Sequence, residues 1–146
     1  MFILDKKLQQ DSFFIGDLEL SKVLLMNDAN YPWLILVPRQ NNLKDIVDLS
    51  FDNQIILLKE INFVAEILKK EFECDKLNIA NLGNVVSQLH IHVIARRKND
   101  ATFPKPVWGN SNSGFRYFER RFINNKHHLQ WRFDGERQSW TWNQTL

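Results

Sequence analysis

A single cysteine, Cys74, among 146 residues excludes an internal disulfide and suits a reducing compartment, so the chain reads as cytoplasmic. No run approaches the roughly 20 apolar residues of a membrane span, and the charged Asp5, Lys6 and Lys7 are not followed by a signal-peptide apolar region. Internal repeats and low-complexity tracts are missing too. A strong charge imbalance is also lacking, since the formal net charge is +2, and bulk nucleic-acid binding is not called for. What is present is a 44% hydrophobic content, enough for one well-packed core in a chain of one-domain length. Basic residues gather in two places, Arg96-Arg97-Lys98 and Arg116, Arg120, Arg121 and Lys126. That distribution suits a phosphate-bearing ligand.

Apolar periodicity divides the chain. Glu19 to Met26 reads as a strand stopped by the turn formers Asn27 to Pro32. Trp33 to Val37 is continuously apolar and ended by Pro38, as in a central strand covered on both faces, and the two strands are expected to pair antiparallel. Ser50 is placed to cap a helix in which Leu57, Ile61, Val64, Leu68 and Phe72 recur at helical spacing to about Glu73. Leu77 to Leu82 reads as a further strand. Gly83-Asn84 breaks it, and a very short connection leads to Gln88 to Ala95 as a hairpin partner. This order of helix and antiparallel strands argues α+β. Phe103 to Gly109 reads as a proline-stiffened extended segment with a loop to Gly114, and Leu129 to Trp142 as a hairpin turning at Asp134-Gly135.

Gln88, His90 and His92 alternate with Leu89, Ile91 and Val93, so as a strand the segment puts two of the four histidines on one polar face. Three readings compete. Two histidines on the wet side of an edge strand are ordinary surface residues. A His-x-His pair supplies two metal ligands, with His127 and His128 as further ones, but a zinc site wants three or four and no carboxylate or second cysteine accompanies the pair. A neutral imidazole also attacks phosphorus, dividing one displacement into two easier ones, if nearby donors stabilise the phosphoryl oxygens.

Gln88-Leu89-His90-Ile91-His92-Val93-Ile94 resembles the signature strand of the histidine triad (HIT) superfamily, in which three histidines alternate with apolar residues. The surrounding order is similar as well: an Asn27-Asp28 loop, an apolar strand ending in Pro38-Arg39, a long helix and an Asn81-Leu82-Gly83 strand end. A Pro106-Val107-Trp108-Gly109 segment resembles one found in the bacterial HIT-like, diadenosine-polyphosphate-hydrolase-like branch. The resemblance spans residues 1–109 and leaves 110–146 as a C-terminal extension that packs on the domain or on a mate.

What the resemblance implies is an antiparallel sheet of about five strands with one long helix, in a homodimer. It implies hydrolysis of a phosphoanhydride or phosphoramidate at the α-phosphorus of a purine nucleotide, such as a diadenosine polyphosphate. His90 takes the nucleophile's place, forming a nucleotidyl-histidine, and His92 the place that contacts the phosphate. No metal enters the chemical step, and magnesium serves only to accompany a polyphosphate substrate. Gln88 replaces the first histidine, offering an amide but no titrating group. A binding or sensor protein without turnover and a nucleotidyl transferase are the alternatives.

The other matches follow the same resemblance. Asn27 and Asp28 fall where the family binds ribose, although Asp28 equally suits a turn. Asn81, Gly83 and Asn84 match residues that contact phosphate, with Gly83 permitting close backbone approach. Trp108 either stacks on a base and closes the pocket or anchors its segment to the core.

Overall fold

The computed structural model describes residues 1–28 and 30–110, and the backbone of 129–134 and 137–142. Two N-terminal elements appear that periodicity did not announce: a short helix α1 (Lys6–Asp11) and strand β1 (Ser12–Asp17). The Asp5 carboxylate caps α1 by accepting from the Lys7 N–H at 2.8 Å. Strand β2 (Ser21–Met26) pairs antiparallel with β1 and with β3 (Trp33–Pro38), as expected for the second pair.

Helix α2 (Phe51–Phe72) matches its expected bounds. Ser50 Oγ accepts from the Asn53 N–H at 3.3 Å, and Glu73 ends the helix in the left-handed conformation at φ 46°. Its buried stripe, Leu57, Ile61, Val64 and Leu68, shares one core with Leu34 and Leu36 of β3 and with Ile91, Val93 and Ala95 of strand β5 (Ile91–Arg96). Each such fully buried aliphatic side chain contributes roughly 1.5–3 kcal/mol. The helix therefore covers the centre of one sheet face. Glu60, also buried, extends from α2 to the turn before β2, where Oε1 accepts from Leu20 N–H at 2.7 Å. Burial raises its pKa, against the hydrogen bonds that lower it.

Strand β4 (Lys76–Ala80) closes a five-stranded antiparallel sheet of order β1-β2-β3-β5-β4. β4 and β5 are partners, yet residues 81–90 connect them as an irregular loop, not as a tight hairpin turn. His90 consequently lies just before β5 and only His92 lies within it. The opposite sheet face carries Trp33, Ile35, Ile94 and His92, with Val107 and Tyr31 packed over them. Strands β6 (Leu129–Asp134) and β7 (Arg137–Trp142) form the expected hairpin, but Asp134 pairs with Arg137, so it belongs to the strand and not to the turn. The expected packing of 110–146, with Trp131, Trp140, Trp142, Arg116, Arg120 and Arg132, lies outside the described side chains.

Two basic residues read as phosphate ligands serve the fold instead. Arg96 is buried and forms a two-pronged pair with Asp100, Nε to Oδ2 at 2.7 Å and Nη2 to Oδ1 at 3.1 Å. It also donates to Asn78, Thr102 and the Lys105 carbonyl, and lies against the rings of Tyr31 and Phe103. Arg97 donates through Nε to the Phe72 carbonyl at 3.0 Å, satisfying the last turn of α2. Phe103 to Asn110 accordingly winds in turns anchored by Arg96 and is not extended. Among the described residues, no helix is long and apolar enough to cross a membrane.

Candidate functional site

On the face away from α2, a cavity of about 400 Å³ opens in front of His90 and His92. The rings lie edge to face, 4.8 Å between centroids. His90 Nδ1 is 2.6 Å from the Gln88 carbonyl oxygen. A carbonyl only accepts, so Nδ1 carries the proton and Nε2 is left with the lone pair. That is the tautomer a nucleophile needs.

His92 is held differently. Its Nδ1 accepts from the Trp33 indole N–H at 2.9 Å, a pairing made by the β3–β5 register that sets Ile35 opposite His92. With Nδ1 an acceptor, Nε2 bears the proton and faces the backbone at Leu82, the one contact that favours the cation. Burial first, and the adjacent His90 second, nevertheless push the His92 pKa down to about 4. The ring is therefore neutral at neutral pH and is held at Nδ1 by the Trp33 indole.

This depression has a definite sign for stability. An unfolded His92 gains its proton near 6.5, whereas the folded one waits until about 4. Its contribution is thus complete above pH 6.5 and is lost as pH falls towards 4, on the order of 3 kcal/mol in all. Proton NMR should show the His92 ring resonances flat from pH 8 to 5; an inflection near 6.5 would overturn the assignment.

Trp108 stands edge-on to both His92 and Trp33, at 5.1 and 5.6 Å between centroids, so it closes the cavity at the histidines. Asn84 also lines the cavity. Asn27, Asp28, Asn81, Gly83 and Gln88 lie outside its lining. The Asp28 side chain accepts from the Asn30 N–H at 2.8 Å, the turn-capping role, and burial raises its pKa against that bond. At Gly83 a Cβ would meet the Val86 carbonyl at 3.2 Å, so glycine there lets the loop fold on itself. The Gln88 amide points away from the histidines: Oε1 accepts from Asp5 N–H at 2.9 Å and Nε2 donates to the Ile3 carbonyl at 2.8 Å. This corrects the expectation of one strand face shared by Gln88, His90 and His92.

Sequence reasoning missed the wall opposite. Lys7, Leu8 and Asp11 of α1 line the cavity with Met26 and Ile35. Lys7 and Asp11 are ion-paired at 2.9 Å. The signal for α1 was in the chain: Asp5 as a cap and a Lys-Asp pair four residues apart. Trp33 as a donor to His92 had no such signal. Among the described residues, no three His, Cys, Asp or Glu side chains gather as for a metal, and His127 and His128 lie outside those residues.

An antiparallel sheet backed by one helix, with two histidines lining a cavity on the other face, defines an α+β protein with a histidine-lined site. The chain belongs to the HIT domain family, whose model matches residues 7–99. A histidine triad protein from Bradyrhizobium japonicum is 48% identical over 86% of this chain and 96% of its own, with a TM-score of 0.81. One from Sinorhizobium meliloti is 44% identical over 86% and 93%, with a TM-score of 0.80. A third, from Marinobacter aquaeolei, is 40% identical over 87% and 92%, with a TM-score of 0.81. No curated protein matches the chain.

Proposed function

We propose that this HIT protein hydrolyses a phosphoanhydride or phosphoramidate at the α-phosphorus of a purine nucleotide. The observation that carries the reading is the His90 tautomer, imposed by the Gln88 carbonyl at 2.6 Å. Nε2 gives its lone pair to phosphorus, and the bond from phosphorus to the leaving oxygen or nitrogen breaks with its electron pair, the leaving group taking up a proton from solvent water. Water then attacks the nucleotidyl-histidine, the phosphorus–nitrogen bond breaks, and the nucleoside monophosphate departs with the imidazole restored. The cavity supplies apolar surface for the nucleoside at Leu8, Met26 and Ile35, and Lys7 exchanges its Asp11 partner for the phosphate.

One observation favours a second reading, binding without turnover. His92 is neutral and held at Nδ1 by the Trp33 indole, and the Gln88 amide is engaged elsewhere, so neither stands ready to protonate a leaving group. Incubation with adenosine phosphoramidate and with diadenosine tetraphosphate separates the two. Release of AMP is expected. Tight AMP binding without turnover of either compound supports the second reading, and absence of both binding and turnover overturns the nucleotide assignment.

A further inference from the structure

Gln88 occupies the first position of the motif but reaches away from the histidines, and what it reaches is the wall across the cavity. Its side chain bridges Ile3 and Asp5, taking one N–H and giving one to a carbonyl, as a neighbouring strand would. Asp5 is the cap of α1, and the residues that follow, Lys7, Leu8 and Asp11, line the cavity. A six-residue helix does not hold itself in place. It depends on ties such as this one and on the burial of Leu8, which is 5% exposed. The Gln88 backbone carbonyl meanwhile orients His90. One residue therefore joins the nucleophile to the opposite wall.

We propose that Gln88 is a positioning residue for substrate binding: its amide holds α1 so that Leu8 packs on the nucleoside and Lys7 reaches the phosphate. The proposal rests on the nucleotide reading above. An amide suits the task because its acceptor and donor lie side by side, matching the Asp5 N–H and Ile3 carbonyl. The two nitrogens of an imidazole diverge and do not reproduce that pair. Glutamine at this position thus exchanges a titrating group for a tether.

The test compares wild type with Gln88→Ala, which loses both bonds, Gln88→Glu, which keeps only the acceptor, and Gln88→His, which restores the family residue. Losing two net hydrogen bonds predicts about a tenfold weaker AMP affinity and about a tenfold higher KM for adenosine phosphoramidate in Gln88→Ala, with kcat within about twofold. Gln88→Glu, whose second oxygen meets the Ile3 carbonyl without a proton to share, should be impaired at least as much as Gln88→Ala. Amide hydrogens of residues 7–11 should exchange faster in Gln88→Ala while those of α2 keep their wild-type rates. Faster exchange with unchanged affinity would overturn the proposal, because α1 would then not be a ligand wall. So would a fall in kcat at constant KM, or a rise in kcat in Gln88→His, either of which places residue 88 in the chemistry. Failure of wild type itself to bind AMP is a different result, seen before any variant is made, and removes the nucleotide reading and this proposal together.

Discussion

His90→Ala is expected to reduce AMP release on the order of 10³-fold or more, the scale on which enzymes lose rate when the nucleophile is removed. The physical reason is specific to this ring. Its Nδ1–H is spent on the Gln88 carbonyl, so Nε2 alone carries an available pair, and no other side chain lining the cavity among the described residues presents an unprotonated nitrogen. His92 does not substitute for it, since its Nδ1 pair is taken by the Trp33 indole. The variant should keep its fold, shown by circular dichroism, and should keep AMP affinity within a few fold, because the nucleoside-facing walls are untouched. Single-turnover experiments with wild type should trap phosphorus on His90. AMP release that survives His90→Ala would sink the assignment.

Arg96→Ala is expected to destabilise the protein by about 3–5 kcal/mol. The cost lies in what is left behind. Arg96 and Asp100 are 1% and 7% exposed, and the arginine neutralises the carboxylate where water cannot. Burial opposes ionisation of Asp100, but hydrogen bonds from Arg96 and from the N–H groups of Thr102, Phe103 and Arg97 outweigh it and hold the pKa at about 2. Without Arg96 the carboxylate is buried and unpaired, and its pKa should climb. For a chain of this size the midpoint of thermal unfolding should fall on the order of 10 °C. Removing both charges while keeping an acceptor for the Thr102 and Phe103 N–H groups, as in Arg96→Met with Asp100→Asn, should recover part of the loss, because the penalty belongs to the orphaned charge. A double variant as unstable as Arg96→Ala would contradict this account. The same pair sets an acid limit: Asp100 contributes fully above its unfolded pKa near 3.8, and the contribution is lost as pH falls through about 2. Because Arg96 anchors the segment that carries Trp108, AMP affinity should drop with stability.

Much of the fold was legible because it follows from local periodicity. The stripe Leu57, Ile61, Val64 and Leu68 and the cap at Ser50 mark α2 whatever it packs against. The unbroken apolar run of β3 marks a strand covered on both faces, and all six of its residues are buried. The basic run after the histidines was misread for the opposite reason. Charge in a sequence does not say whether a partner waits inside the protein, and Arg96 finds its own four residues on.

The chain alone determined the α+β class, the helix, the central strands and, through the alternation at His90 and His92, the segment that brings two histidines to the cavity. Only the tertiary structure decided what each imidazole does. Trp33 and His92 are 59 residues apart, and Gln88 meets Asp5 across 83. Such partners are chosen by strand register and by where the chain returns, not by neighbouring side chains. A ring nitrogen is a lone pair or a proton according to the group placed against it, so the tautomers of His90 and His92 exist only once the sheet has formed.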